Sequence, residues 1–169
     1  MKQGYLTKEK KEYYLQELEK CKNCGDEDWD LDEGIEPILT KLNSNPNICT
    51  LLSCKWDGKK KISQETSYIF LAFTPEFETK LFKYTKLFTE ILGSHVNKDV
   101  TGFSVGVVPF DDNTKTNNKF EENKNLQNLD VVVNQKDYTN INQWFVRFES
   151  PYMKDHDLFW VLVEEIANL

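Results

Sequence analysis

The chain has 169 residues, a net charge of −7 and 39% apolar residues. A chain of this length is expected to form one domain that buries roughly 70% of its unfolded surface, so it needs no disulfides to fold. The acidic balance argues against general nucleic-acid binding and leaves a protein or a small molecule as the partner. Apolar runs stay short of the roughly 18 residues of a membrane span. The N-terminal residues lack a signal region, so we expect no membrane contact, a cytoplasmic location and reduced cysteines.

Residues 1–30 predict a helical extension that ends in a Cys-x2-Cys motif. Thr7 can cap the helix, whose apolar residues recur on one face. Cys21-Lys-Asn-Cys24-Gly ends it. An acidic run over 26–33 follows, but its spacing does not match a calcium-binding EF-hand loop. We therefore interpret this run as exposed acidic surface.

Residues 31–93 predict a first ββα unit preceded by a helix. Its elements, in chain order, are a helix over 34–44, a buried strand over 48–53, a charged loop over 54–65, an aromatic-rich strand over 67–73 and a helix over 76–92.

Residues 100–169 predict a second ββα unit. Its elements are a strand over 103–110, a long polar loop over 111–128, a short edge strand over 129–133, a strand over 143–149 and a helix over 154–168. In both units a strand enters its helix through a proline, Pro75 or Pro151. We predict an α+β fold with one mixed or antiparallel sheet from the two units and the helices packed on one face. Arg147, the chain's one arginine, is interpreted as part of an ion pair at a strand edge.

The cysteines offer a candidate metal site. Cys21 and Cys24 have the spacing of a zinc knuckle, in which two thiolates on a tight turn bind one tetrahedral ion. Cys49 and Cys54 would complete a four-cysteine site, although a regular strand would place them on opposite faces. A second arrangement joins Cys54 to Cys21 and Cys24 with a histidine or a carboxylate. The alternative to both is four reduced thiols, with Cys49 packed in the core.

The end of the first strand and the loop after it form the candidate binding site. A Cys54 thiol beside lysines would have a lowered pKa and could act as a nucleophile. Asp57 is a second catalytic candidate, and His95 or His156 would have to supply the base. A solvated hairpin loop is the alternative for the lysines. The predicted ligand-binding residues are Ser53, Cys54, Lys55, Trp56, Gly58 and Lys59.

Between residues 32 and 73 the chain has an acidic residue before Gly-Ile-x-Pro-Ile, a helix ending in Leu-Asn, a strand ending in Ser-Cys and an aromatic-rich strand. This segment resembles one found in small uncharacterised bacterial and phage proteins. More distantly it is similar to the tRNA wybutosine-synthesising methyltransferase family, whose strand leads to a Ser-Cys-Ser-Gly turn. The turn here is longer than that of the family. The matching residues are Leu42, Asn43, Ser53, Cys54 and Gly58.

Two functions follow as expectations. The first is an accessory or binding domain without catalysis, which binds a ligand or partner near residues 53–58 and holds a structural zinc. The second, implied by the resemblance, is an RNA-modifying methyltransferase that uses S-adenosylmethionine, with Cys54, Asp57 and the lysines in its cleft.

Overall fold

The computed structural model describes residues 3–23, 31–58, 65–96, 102–109 and 141–169. These residues form four α-helices and one four-stranded sheet. The helices are α1 (Lys8–Asn23), α2 (Glu36–Ser44), α3 (Glu78–His95) and α4 (Met153–Glu165), and a short 3-10 helix (Ile166–Asn168) follows α4. The strands are β1 (Ile48–Cys54), β2 (Thr66–Phe73), β3 (Gly102–Val108) and β4 (Gln143–Glu149). The predicted α+β class is confirmed.

The sheet has the order β1-β2-β4-β3, and every neighbouring pair is antiparallel. The second strands of the two predicted ββα units therefore pair at the centre, where Phe70 lies opposite Phe145. The first strand of each unit lies at an outer position of the described sheet. This arrangement confirms one sheet built from two ββα units.

The main core lies on one face of the sheet, called here the core face. Alternate residues of β2 and β4 point into it, as expected for strands with a side-chain period of two. Helices α2, α3 and α4 cover this face. The largest fully buried side chains there are Trp144, Phe73, Phe77, Phe88, Phe148 and Phe159.

The opposite, outer face carries the N-terminal extension. Leu6 and Tyr14 pack with Cys49 and Ala72 in a second, smaller buried cluster. Thr7 caps α1, because its hydroxyl oxygen accepts a hydrogen bond from the backbone N–H of Lys10 at 3.2 Å. The three helices of the ββα region thus lie on the core face, and α1 lies on the other side of the sheet.

Most predicted elements are found within a few residues of their expected limits. Helix α3 is longer than predicted, because it continues past Gly93 to His95. The predicted loop 111–128 and the predicted edge strand 129–133 lie outside the described residues. Each described helix is too short or too polar to cross a lipid bilayer.

Candidate functional site

A bulge in β1 decides which face Cys54 occupies. The pairing of β1 with β2 shifts between Thr50 and Leu52, so one extra residue enters β1. Cys49 lies opposite Ala72 and Cys54 lies opposite Tyr68, and both partners point to the outer face. The two cysteines therefore share a face, whereas a regular strand would have separated them.

The shared face does not bring the two thiols together. The β2 partners of Cys49 and Cys54 are Ala72 and Tyr68, and a separation of four residues along a strand is about 13 Å. Cys49 is fully buried, and burial raises the pKa of its thiol to about 11. A four-cysteine site that includes both Cys49 and Cys54 does not fit this geometry, and Cys49 is a core thiol as the alternative interpretation expected.

Four polar side chains form a row across the outer face, which we call the Cys54 row. Cys54 pairs with Tyr68, Tyr68 with Arg147, and Arg147 with Ser104, so one residue comes from each strand. The first three are half-buried, and Ser104 is exposed. The row therefore places a thiol, a phenol, a guanidinium and a hydroxyl side by side on the sheet.

The next row across the outer face is apolar. Phe70 and Phe145 stack with ring centroids 5.4 Å apart, and Phe70 is 3% exposed while Phe145 is half-buried. Leu52 lies opposite Phe70 on β1, and Gly106 lies opposite Phe145 on β3. A side chain at Gly106 would start 3.4 Å from the Phe145 ring, so the glycine leaves room for that ring. We call these four residues the aromatic floor.

Charges around the Cys54 row are paired. Arg147 forms an ion pair with Glu149 at 2.6 Å, which confirms the predicted ion pair but places it on an inner strand. Burial is the main reason that the pKa of Tyr68 is raised. Cys54 and Asp32 raise the pKa of Tyr68 further, and Arg147 opposes them. The Tyr68 hydroxyl is therefore neutral at ordinary pH and lies within electrostatic reach of all three groups.

The 55–58 turn is attached to the body of the protein. The backbone N–H of Lys55 donates to the carboxylate of Asp32 at 2.7 Å. Trp56 is 7% exposed, so it fills the core and is not an open ligand contact. Gly58 has φ +79°, a conformation that favours glycine, and a Cβ there would lie 3.1 Å from Met153 Cγ.

Beneath the turn lies a buried polar network. The Ser67 Oγ lies 2.8 Å from Nδ1 of His156, and it accepts hydrogen bonds at 3.2 Å from the Trp56 backbone N–H and the Trp160 indole N–H. Nε2 of His156 lies 2.8 Å from the carbonyl oxygen of Ser150. Ser67 and His156 are 0% and 1% exposed, so this Ser–His pair is closed to substrate.

The sheet separates the predicted site residues. Ser53 and Trp56 lie on the core side, and Cys54 lies on the outer face. The Cys54 thiol donates to the carbonyl oxygen of Thr66 at 3.8 Å. His156 binds Ser67 on the core face, so the strands lie between this imidazole and the Cys54 thiol. Cys54 and His156, one of the two predicted bases, are therefore not brought together.

The remaining predicted site residues are Asp57, Lys59 and the cysteines of the N-terminal extension. Asp57 is half-buried in the turn. Lys59, Cys24 and the side chain of Cys21 lie outside what the structure describes. Among the described residues no group of three or more histidine, cysteine, aspartate or glutamate side chains could hold a metal ion. Zinc binding by Cys21, Cys24 and Cys54 stays a prediction.

Sequence reasoning missed Tyr68 and Ser67, and it named none of the aromatic-floor residues as site residues. Tyr68 was part of an aromatic-rich strand, and nothing in that pattern indicated which face its ring would take. Ser67 is separated from His156 by 89 residues, so their contact has no local signal in the sequence. The alternation of Tyr68, Phe70 and Ala72 between core residues could have identified the outer face, had the strand order been known.

Comparison with protein-family models, with curated proteins and with solved structures found no match. The resemblance of residues 32–73 to a methyltransferase segment therefore stays a prediction.

Proposed function

We propose that the protein is a binding domain without catalysis, whose ligand is a small molecule with a flat aromatic ring. The ring lies on the aromatic floor, and its polar edge meets the Cys54 row. The observation that carries the proposal is the partly exposed Phe145 ring, stacked on the buried Phe70 and flanked by Gly106 and Arg147.

The side chains of the Cys54 row and the aromatic floor combine polar and apolar groups that are mostly only partly exposed. The side chain of Arg147 is 26% exposed and that of Glu149 is 22% exposed, and Cys54, Tyr68 and Phe145 are also half-buried. The outer face thus places aromatic side chains beside a few polar groups, a composition that suits a small ligand. Small-molecule sites commonly combine an apolar surface with a few polar groups that fix orientation.

The chemistry of the region argues against catalysis. One way to activate a nucleophile is an adjacent base within hydrogen-bond reach. The imidazole of His156 is already bonded at both nitrogens and lies across the sheet from Cys54, whose thiol donates to Thr66. These contacts favour binding as the role of the outer face.

The test is a titration of the 15N-labelled full chain with adenosine, followed by heteronuclear NMR. Adenosine supplies a flat ring without charge. We expect millimolar or tighter binding, with shifted amide signals at Cys54, Tyr68, Phe145 and Arg147. Stacking of a base on an aromatic side chain contributes about 1–3 kcal/mol. Phe145→Leu should therefore weaken binding at least fivefold.

The matched control is Val161→Ala, which shortens an apolar side chain on α4 that is 56% exposed. This variant should bind adenosine as the wild type does. Absence of shifts at millimolar adenosine, or shifts away from the outer face, would contradict the proposal. S-adenosylmethionine is tested in parallel, and binding much tighter than that of adenosine would favour the methyltransferase alternative.

A structural zinc forms a separate part of the proposal, with Cys21, Cys24, Cys54 and a histidine or a carboxylate as ligands. Lys22, near the end of α1, pairs with Glu36 at 3.2 Å, and Asp32 holds the backbone of Lys55 beside Cys54. Residues 31–36 thus contact both the end of α1 and the end of β1. Elemental analysis of purified protein should find one zinc per chain and less in Cys54→Ser. Sub-stoichiometric zinc in the wild type would rule the site out.

A further inference from the structure

We propose that Trp56, Ser67 and His156 form a pH-sensitive latch, which holds the 55–58 turn against the body of the protein while the His156 ring is neutral and releases Trp56 when the ring is protonated. The latch goes beyond the proposed binding function. Its test requires no ligand, so either proposal can fail without the other.

The hydrogen-bond network is fully satisfied in only one protonation state of His156. The Ser67 oxygen accepts from two N–H groups, the Trp56 backbone and the Trp160 indole. Its two lone pairs are then occupied, so its proton is donated to Nδ1 of His156. The ring proton therefore sits on Nε2, which donates to the carbonyl oxygen of Ser150. Every donor has an acceptor only in this neutral tautomer.

Protonation of the ring breaks this pattern. A proton on Nδ1 would point at the Ser67 oxygen, which already accepts two hydrogen bonds and also carries its own proton. To accept from Nδ1, the Ser67 oxygen must lose one of its two N–H donors, and its own proton loses its acceptor. Trp160 lies on helix α4, whereas Trp56 lies in an irregular turn, so the Trp56 hydrogen bond is the easier one to break.

The groups that surround the His156 ring determine the direction in which its pKa shifts. Burial lowers the pKa of His156 below its usual 6.5. The hydrogen bond to the carbonyl oxygen of Ser150 and the nearby acids Glu65, Asp155 and Asp157 oppose this shift. The Asp155 carboxylate already accepts a hydrogen bond from Ser150 Oγ at 2.8 Å, which ties it to the network. Burial is the largest of these effects, so the ring is neutral at pH 7 and becomes charged on acidification.

The release is local. The Trp56 ring lies 4.7 Å from the histidine ring between centroids, so both its backbone and its side chain contact the latch. On one side of it, the Lys55 N–H remains bound to Asp32. On the other, Gly58 lies against Met153. Trp56 and Asp57 lie between these two anchors and are the residues that we expect to move.

The experiment follows backbone amide exchange by NMR in the full 15N-labelled chain between pH 7.5 and pH 5. Exchange is expressed as protection relative to a free peptide at the same pH, which removes the intrinsic effect of pH. We expect the Trp56 amide to lose protection about tenfold on acidification, the equivalent of one lost hydrogen bond. The Val146 amide, in the centre of the sheet, should keep its protection.

Two comparisons make the result specific. His156→Gln cannot be protonated, so the pH dependence of Trp56 protection should disappear, whereas His95→Gln, at an exposed histidine on α3, should retain it. Long-range 15N spectra of the imidazole should show the Nε2–H tautomer at pH 7 and should titrate with the midpoint at which Trp56 loses protection. This second measurement uses the wild type, so it tests the latch even if His156→Gln does not fold.

Three outcomes would overturn the latch. One is Trp56 protection that stays constant while the His156 ring titrates. Another is a loss shared equally by Val146, which would mean global unfolding. The third is the same pH dependence in His156→Gln as in the wild type.

Discussion

The hydroxyl of Ser67 joins three parts of the molecule: the 55–58 turn, strand β2 and helix α4. Ser67→Ala leaves the Trp56 and Trp160 N–H groups and Nδ1 of His156 without their partner in a buried site. An unsatisfied buried polar group costs about 1–3 kcal/mol. We therefore expect the free energy of unfolding, measured by urea denaturation, to fall by at least about 2 kcal/mol.

The control for this variant is Ser104→Ala, at an exposed serine on β3. Substitutions at exposed positions usually change the free energy of unfolding by less than about 0.5 kcal/mol. Equal effects of the two substitutions would mean that the buried network contributes nothing beyond an ordinary surface serine.

His156 also gives the stability of the whole protein a pH dependence. Burial lowers the pKa of His156 in the folded state below its unfolded value of 6.5. Well above pH 6.5 both states are neutral and the contribution of this group is constant. As the pH falls below 6.5 the unfolded state gains a proton first, so stability decreases until the folded ring is also charged.

The sign of this pH dependence of stability can be measured directly. Urea denaturation of the wild type should show a decreasing free energy of unfolding as the pH falls below 6.5. The slope should be smaller in His156→Gln and unchanged in His95→Gln, because the second histidine is exposed. A wild-type slope that His156→Gln retains in full would assign the effect to other groups.

Replacement of two glycines by alanine is expected to have opposite effects on the stability of the protein. Gly58 has φ +79° and faces Met153, so Gly58→Ala should destabilise the protein by about 1–3 kcal/mol. Gly93 lies within the last turn of α3, where an added Cβ would meet nothing within 4 Å. Gly93→Ala should stabilise the protein by about 0.5–1 kcal/mol because alanine is the better helix former.

Thermal denaturation of the two variants checks both predicted changes in stability. We expect the midpoint to fall for Gly58→Ala and to rise for Gly93→Ala. The same sign for both would mean that backbone conformation at residue 58 does not constrain the turn.

The existence and type of the described elements could be predicted from sequence because their apolar periods are long and regular. The bulge between Thr50 and Leu52 could not, since it depends on how β1 meets β2, and it moved Cys54 to the outer face. The 55–58 turn was predicted as a charged surface loop. Its tryptophan instead fills a buried site formed by residues distant in sequence, which no local pattern reveals.

The two ββα units share both a sheet and a core. Strand β2 of the first unit pairs with β4 of the second over seven residue pairs. Phe88 of α3 contacts Trp144 and Phe159 of the second unit, with ring centroids 6.5 and 5.9 Å away. Neither unit can therefore complete its core without the other.

This sharing predicts that neither half of the chain folds by itself. A fragment of residues 31–98 would expose one side of β2 and the aromatic residues of α3, and a fragment of residues 100–169 would expose β4 and Phe159. Small chains that bury only part of their apolar surface lack the free energy to offset conformational entropy. We expect each fragment to give a collapsed NMR amide spectrum near 8 ppm, and an equimolar mixture to regain part of the dispersion of the intact chain. A well-dispersed spectrum from residues 31–98 alone would show that the shared core is not required and that the two units are independent.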